Sequence, residues 1–332
     1  MLGKIALEEH FATDETIDQA SQAVPAGHWP DLRDRLADLH EGRLRQMDEN
    51  GIELAILSLI TPGVQGITDT ALAIDIARRA NDFLAEQVAK RPNRFQGFAA
   101  LPMQDPDEAA RELERCVHAL GFRGAMVNGF SETGSTSALL YYDLERYLPF
   151  WSTVQDLGVP FYLHPRNPLP EHAKIYDGHA WLLGPTWAFG QETAVHALRL
   201  MGSGLFDRYP ALQIILGHLG EGLPFSLWRI DNRLAWLNEP PQHRARRKIA
   251  HYFQNNFHLT TSGQLHTPSL VQAMLEIGSD RILFSTDWPF ENMNHAADWF
   301  DSAGISELDR AKIGRRNAIR LIKLEDVLGG DG

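Results

Sequence analysis

Ala6-Leu7-Glu8-Glu9-His10-Phe11 is a short, largely apolar run that closes on an acid-x-His pair, and about eight comparable runs recur along the 332 residues. Side chains alternate along a strand, so Glu8 and His10 project one way and Glu9 the other. Two donors spaced in this manner can grip one ion. Outward from this segment, strand-like runs stand at 5–10, 54–59, 95–101, 124–128, 160–164, 213–218, 258–261 and 282–287. Helical patterns lie between them, as at 72–90, 106–120 and 307–321, the first with Ala73, Ile76, Ala77, Ala80 and Leu84 on one stripe. Strands alternating with helices imply parallel pairing through right-handed crossovers. Eight such units close into an α/β barrel, a (β/α)8 TIM-like fold with long inserted loops. An open doubly wound sheet lacks support, because no glycine-rich phosphate loop follows the first strand.

The composition narrows the class. Lys and Arg number 31 against 43 Asp and Glu, a formal charge of −12, which disfavours a nucleic-acid partner. With 44% hydrophobic and 22% charged residues the chain can bury a large core. No apolar run approaches the roughly 18 residues of a spanning helix, so no membrane partner is expected. Met1-Leu2-Gly3-Lys4 leads straight into a strand rather than a signal peptide, so the expected compartment is the cytoplasm. Cys116 is the single cysteine, which excludes an intrachain disulfide and a thiolate cluster. No repeat or charge shift divides the chain, so a single domain over 1–328 with a tail at 329–332 is expected. Three connections, 11–41, 129–141 and 165–186, exceed ordinary barrel loops and read as functional. The small, polar 131–137 segment of the second suits a mobile flap or a plain surface loop equally.

Four strand ends carry metal-binding residue types: Glu8 and His10 on the first, His164 on the fifth, Gly217-His218-Leu219-Gly220-Glu221 on the sixth and Thr286-Asp287 on the eighth. In a barrel these ends share the face on which active sites are built. Glu8, His10, His164 and Asp287 would supply two carboxylates and two imidazoles, a set suited to one divalent ion, Zn²⁺ or Mn²⁺, with no organic cofactor. Most of the 14 histidines lie elsewhere without a partnering pattern. His179, in the long fifth loop, stays open, and His258 reads as a hydrogen-bonded core residue.

The order of an acid-x-His pair on strand one, His on five, His on six and Asp on eight resembles the amidohydrolase superfamily. The first ligand is Glu8 rather than histidine, strand four ends at Asn128 where binuclear members carry a bridging lysine, and His218 is followed by Glu221, so one metal is expected. Over nearly the whole chain the sequence is similar to the γ-resorcylate (2,6-dihydroxybenzoate) decarboxylases of that superfamily. Phe161-Tyr162-Leu163-His164-Pro165-Arg166-Asn167-Pro168, Leu216-Gly217-His218-Leu219-Gly220-Glu221-Gly222 and Phe284-Ser285-Thr286-Asp287-Trp288-Pro289-Phe290 carry the likeness. The resemblance implies that Glu8, His10, His164 and Asp287 bind the metal, with His218 a catalytic residue beside it. It also implies that Arg229 meets the substrate carboxylate, in some relatives from a neighbouring subunit, and that the assembly is a homotetramer.

Expelling CO₂ from an arene directly would leave an unstabilised aryl anion, so the ring carbon bearing the carboxyl must be protonated first. Asp287 is the expected donor, His218 its hydrogen-bonding assistant and Glu221 the carboxylate that orients the imidazole. Two carboxylate ligands already neutralise a divalent ion, so an anionic substrate needs a nearby cation. Arg229, on the helix-like 226–231 segment, is the first candidate and Arg166 the second. Trp187, Trp288 and Phe290 could clamp a flat ring. Arg229, Asn128 and Phe290 are the expected substrate contacts. The expected reaction is reversible conversion of 2,6-dihydroxybenzoate, a small aromatic acid, into resorcinol and CO₂. Metal-dependent hydrolysis of a lactone or ester is the alternative, and a noncatalytic metal-storing barrel is disfavoured.

Overall fold

Eight parallel strands run around a closed barrel in the computed structural model, which describes residues 1–23, 27–134, 139–237 and 242–328. They are β1 (Lys4–Phe11), β2 (Ile52–Leu59), β3 (Phe95–Gly97), β4 (Ala125–Asn128), β5 (Phe161–His164), β6 (Ile214–Leu216), β7 (Phe257–Thr260) and β8 (Ile282–Leu283). Ladders join β1 to β3 in order and β4 to β8 in order. Backbone bonds close the two seams: Ala99 N–H donates to Gly124 O at 2.9 Å on one side, and Leu7 N–H to Phe284 O at 3.2 Å on the other. The expected barrel is the fold observed.

Its strands are apolar on both faces because both are buried. Ile5, Leu54, Ile56, Phe98, Met126, Tyr162, Ile215 and Leu283 fill the interior. Ala55, Leu57, Val127, Leu163, Leu216 and Leu259 face the surrounding helices. Each fully buried Val, Leu, Ile, Phe or Met side chain among them contributes about 1.5–3 kcal/mol.

The helix at 106–120 is found as expected over Pro106–Leu120. The Asp105 side chain caps it by accepting from the Asp107 and Glu108 amides, and Gly121 ends it at φ 73°. Thr70–Lys90 buries the expected Ala73-to-Leu84 stripe. The 307–321 segment departs from one regular helix. A widened turn, Lys312–Arg316, separates Glu307–Ala311 from Asn317–Ile322. There the Ile313 carbonyl accepts from Phe284 N–H at 2.9 Å and is drawn off the helical ladder to secure the end of β8.

The strands expected at 95–101, 213–218 and 282–287 are shorter than the apolar pattern suggested, because the chain leaves the ladder early. His218 and Asp287 already stand at φ 51° and 67°, in turns rather than strands. The 11–41 connection is also more ordered than a loop and contains the helix Trp29–Ala37. The 165–186 connection is built from single turns, Pro170–His172 to Gly184–Thr186. Residues 135–137 of the expected flap, and the 329–332 tail, lie outside the described residues. Among the described residues no helix is long and apolar enough to cross a membrane.

Candidate metal centre

A one-residue bulge in β1 aims the first two candidate ligands. Ala6 pairs with Ala55, but the next pair is Glu9 with Leu57, which leaves Leu7 and Glu8 together opposite Ile56. Strict alternation from Ile5 and Leu7 would send Glu8 and His10 outward to the helices. The extra residue resets the phase, so both turn into the barrel mouth while Glu9 joins the outward row.

The donors then converge. Glu8 Oε1 lies 3.2 Å from His164 Nε2 and 3.8 Å from His10 Nε2, and His10 Nε2 lies 3.3 Å from Asp287 Oδ1. Two atoms each about 2.1 Å from one ion, at angles of roughly 90–110°, stand about 3.0–3.4 Å apart. Glu8, His10 and His164 form one group of donors within 4.8 Å of one another, and Glu8, His218 and Asp287 a second. Glu8 is shared by both.

The polar atoms here fit a cation better than they fit one another. Glu8 Oε2 accepts from the Tyr162 hydroxyl and from Thr260 Oγ1 at 3.3 Å. Glu8 Oε1 and both ring nitrogens of His10 are buried and have no hydrogen-bond partner among the described residues. Unfilled, each such atom costs about 1–3 kcal/mol. Gly217 leaves room for the carboxylate, since a Cβ there would come within 2.9 Å of Glu8 Oε2. Although burial pushes it up, the surrounding His218, His10 and His164 hold the Glu8 carboxyl well below its usual range. Burial likewise opposes a charge on His10, yet Asp287 and Glu8 raise it to about 9. Two buried carboxylates thus collect positive charge, which a divalent ion would supply in place of protons.

His218 sits in a tight turn after β6, where His218, Leu219 and Glu221 all have positive φ, at 51°, 53° and 54°. Such backbone strain persists only where the surroundings enforce it. Its Nδ1 lies 2.8 Å from Glu221 Oε1, which turns Nε2 toward Asp287 Oδ2 at 3.8 Å and Glu8 Oε1 at 3.9 Å. Burial would lower His218, but Glu221, Glu8 and Asp287 hold its pKa well above the usual value. Asp287 is pushed up by burial and pulled below its usual range by His10 and His218.

A cavity of about 890 Å³ opens beside these groups, lined among others by Trp187, His218, Glu221, Arg229, Arg233 and Asp287. Arg229 is exposed on the helix Leu223–Leu237 and makes no ion pair among the described residues. Arg166 is not comparably available, because Glu132 pairs with it and it stacks over the Phe130 ring at 4.2 Å. Phe290 meets the His10 ring at 70° with centroids 5.6 Å apart and packs against the Ala12, Ile17 and Ile60 cluster, behind His10 and not among the residues lining the cavity. Asn128 is buried beside His164 in the ladder; its side-chain amide donates to the Ile60 carbonyl at 3.3 Å, while its Oδ1 is buried without a hydrogen-bond partner among the described residues. Trp288 is packed in the core with Arg35 over its ring, whereas Trp187 lines the cavity. His179 is exposed and off the cavity wall, and His258 is buried against Gln213 Oε1 at 3.0 Å. Sequence reasoning missed Tyr162 as a support for Glu8. Its place two residues before His164 on one strand, hence on the same face, was a usable signal.

A barrel with carboxylates and imidazoles gathered at the C-terminal ends of its strands defines a metal-binding barrel enzyme. The amidohydrolase family model matches residues 21–324. The gamma-resorcylate decarboxylase of Polaromonas sp. (strain JS666) is 68% identical over 98% of this chain and 99% of its own. The crystal structure of a dihydroxybenzoic acid decarboxylase from Polaromonas sp. JS666, with bound manganese and the inhibitor 2-nitroresorcinol, superposes with a TM-score of 0.97 at 66% identity, covering 99% of this chain and 100% of that one. A 2,6-dihydroxybenzoate decarboxylase complexed with 2,6-dihydroxybenzoate gives a TM-score of 0.96 at 63% identity, covering 98% and 100%. The chain belongs to the amidohydrolase family, and within it stands with the gamma-resorcylate decarboxylases.

Proposed function

We propose that this protein is a metal-dependent, nonoxidative decarboxylase that converts 2,6-dihydroxybenzoate into resorcinol and CO₂, reversibly at high bicarbonate. The observation that carries the reading is a carboxylate–imidazole cluster at the mouth of a barrel matched end to end, above 60% identity, by dihydroxybenzoate decarboxylases. Glu8, His10, His164 and Asp287 would hold one divalent ion. Mn²⁺ is preferred to Zn²⁺, supported by the manganese of the Polaromonas structure and by a donor set without thiolate. When bound, the ion supplies Lewis-acid charge stabilisation and a template for the substrate, several kcal/mol of the barrier reduction.

The chain's own groups do the rest. Arg229 binds the substrate carboxylate, offsetting the charge that Glu8 and Asp287 leave uncompensated. Phe290 backs the His10 ring. An electron-donating hydroxyl ortho to the carboxyl makes the carboxyl-bearing carbon basic, and Asp287 delivers a proton to that carbon. His218 Nε2 stands near enough to Asp287 to resupply it, and Glu221 keeps the imidazole in that orientation. Cleavage of the carbon–carbon bond then releases CO₂ and returns the electron pair to the ring, so the proton gained replaces the carboxylate lost.

The domain is assigned as one barrel over 1–328. A homotetramer is supported by Phe225, Trp228 and Trp236, which are 80%, 76% and 77% exposed on the helix that bears Arg229. A cytoplasmic location is in keeping with the single, buried, free Cys116. Incubation of the Mn²⁺-loaded protein with 2,6-dihydroxybenzoate in D₂O tests the function. Resorcinol carrying one deuterium, with one CO₂ per turnover, is expected. Acid release from a panel of lactones without CO₂ from any hydroxybenzoate would replace this reading with the hydrolase.

A further inference from the structure

Glu9 lies between two candidate ligands in sequence, but alternation puts it on the opposite face of β1, which the bulge turns into the wall between β1 and the segment after β8. There it is 1% exposed, and both its oxygens are occupied. Oε1 accepts from Thr286 N–H at 2.9 Å and from Ser285 Oγ at 3.2 Å. Oε2 accepts from Thr286 Oγ1 at 2.6 Å and from Trp288 N–H at 3.3 Å. These donors flank Asp287 on both sides in sequence. Asp287 itself holds φ 67°, a left-handed conformation that a non-glycine residue does not adopt unaided, and its amide donates to Glu8 O at 3.1 Å. Arg43, buried on the same side, anchors the other strand by donating to His10 O.

From this geometry we infer that Glu9 is a positioning residue: its carboxylate grips the backbone on either side of Asp287 and fixes the turn that aims the Asp287 carboxyl into the metal centre. Two separate backbone N–H groups need two acceptor oxygens. A carboxylate provides them, whereas an amide of the same shape offers one and turns its NH₂ against an N–H in either flip. Glu9→Gln is therefore isosteric but leaves Thr286 or Trp288 without an acceptor. The inference rests on the assignment of Asp287 to the ion and the proton.

The test compares Glu9→Gln, Thr286→Val and Asp287→Asn with the parent, measuring the melting temperature, Mn²⁺ affinity by calorimetry, and kcat and KM at saturating Mn²⁺. Glu9→Gln should bind Mn²⁺ about 10-fold more weakly and lose at least 10-fold in kcat with little change in KM. Thr286→Val, which removes one of the four bonds, should move both in the same direction by about 3-fold. Mn²⁺ affinity and kcat within twofold of the parent in a folded Glu9→Gln protein would overturn the inference, whatever its melting temperature. Should Glu9→Gln not fold, Thr286→Val decides, lowered values supporting the inference and parental values overturning it. Asp287→Asn separates the two layers: retained activity there defeats the functional reading, while a dead Asp287→Asn beside an unaltered Glu9→Gln counts against Glu9 alone.

Discussion

His218 Nδ1 and Glu221 Oε1 lie 2.8 Å apart within one strained turn, so the carboxylate decides which imidazole nitrogen faces the cavity. His218→Ala should keep its ion, because Glu8, His10, His164 and Asp287 remain, but should turn over about 10²–10⁴-fold more slowly. Glu221→Gln should lose less, since an amide oxygen can still accept from Nδ1–H. Metal content and single-turnover rates measure both, and parental turnover in His218→Ala would reduce that residue to a structural one.

Glu8→Ala and His164→Ala each remove a donor from the tightest part of the cluster. Both should lose bound metal and activity together. Elemental analysis after dialysis is the measurement, and full metal occupancy in either variant would contradict its assignment as a ligand.

Arg229→Met keeps an unbranched apolar stem and removes the charge. We expect a KM for the hydroxybenzoate raised at least 10-fold with metal affinity unchanged, because the lost interaction is with the substrate carboxylate. A KM equal to the parent's would return Arg229 to the helix surface.

His196 supplies a pH signature of stability remote from the ligands. It is buried, its Nε2 accepts from the Tyr142 amide at 3.1 Å, and burial, reinforced by Arg199, lowers its pKa to about 3. In the unfolded chain histidine titrates near 6.5, so between about 6.5 and 3 the unfolded state binds more protons. Stability should therefore fall as the pH drops through that window, by up to about 1.4 kcal/mol per pH unit from this group. Above about 6.5 it contributes no slope. Urea midpoints at pH 7.5 and 5 should show a shallower decline for His196→Gln. An identical decline would remove His196 as a source of the acid sensitivity.

The barrel was legible because its strands are buried on both faces and its helices carry ordinary caps, as at Asp105 and Gly121. The grouping of Glu8, His10, His164 and Asp287 was legible too, since strand ends of a barrel share a face. What escaped were features set by backbone departures from the period. The β1 bulge decides that Glu8 and His10, rather than Glu9, face the barrel mouth, and the widened turn at Lys312–Arg316 follows from a carbonyl claimed by another strand. The bond from the Asn128 amide to the Ile60 carbonyl joins residues 68 apart in the chain, a pairing that no sequence spacing reveals.

Anomalous scattering from crystals grown with Mn²⁺ and substrate tests the central claim most directly. One peak is expected per chain, about 2.0–2.3 Å from Glu8 Oε1, from one nitrogen each of His10 and His164, and from an Asp287 oxygen. A peak remote from these atoms, or two ions sharing the cavity, would contradict it.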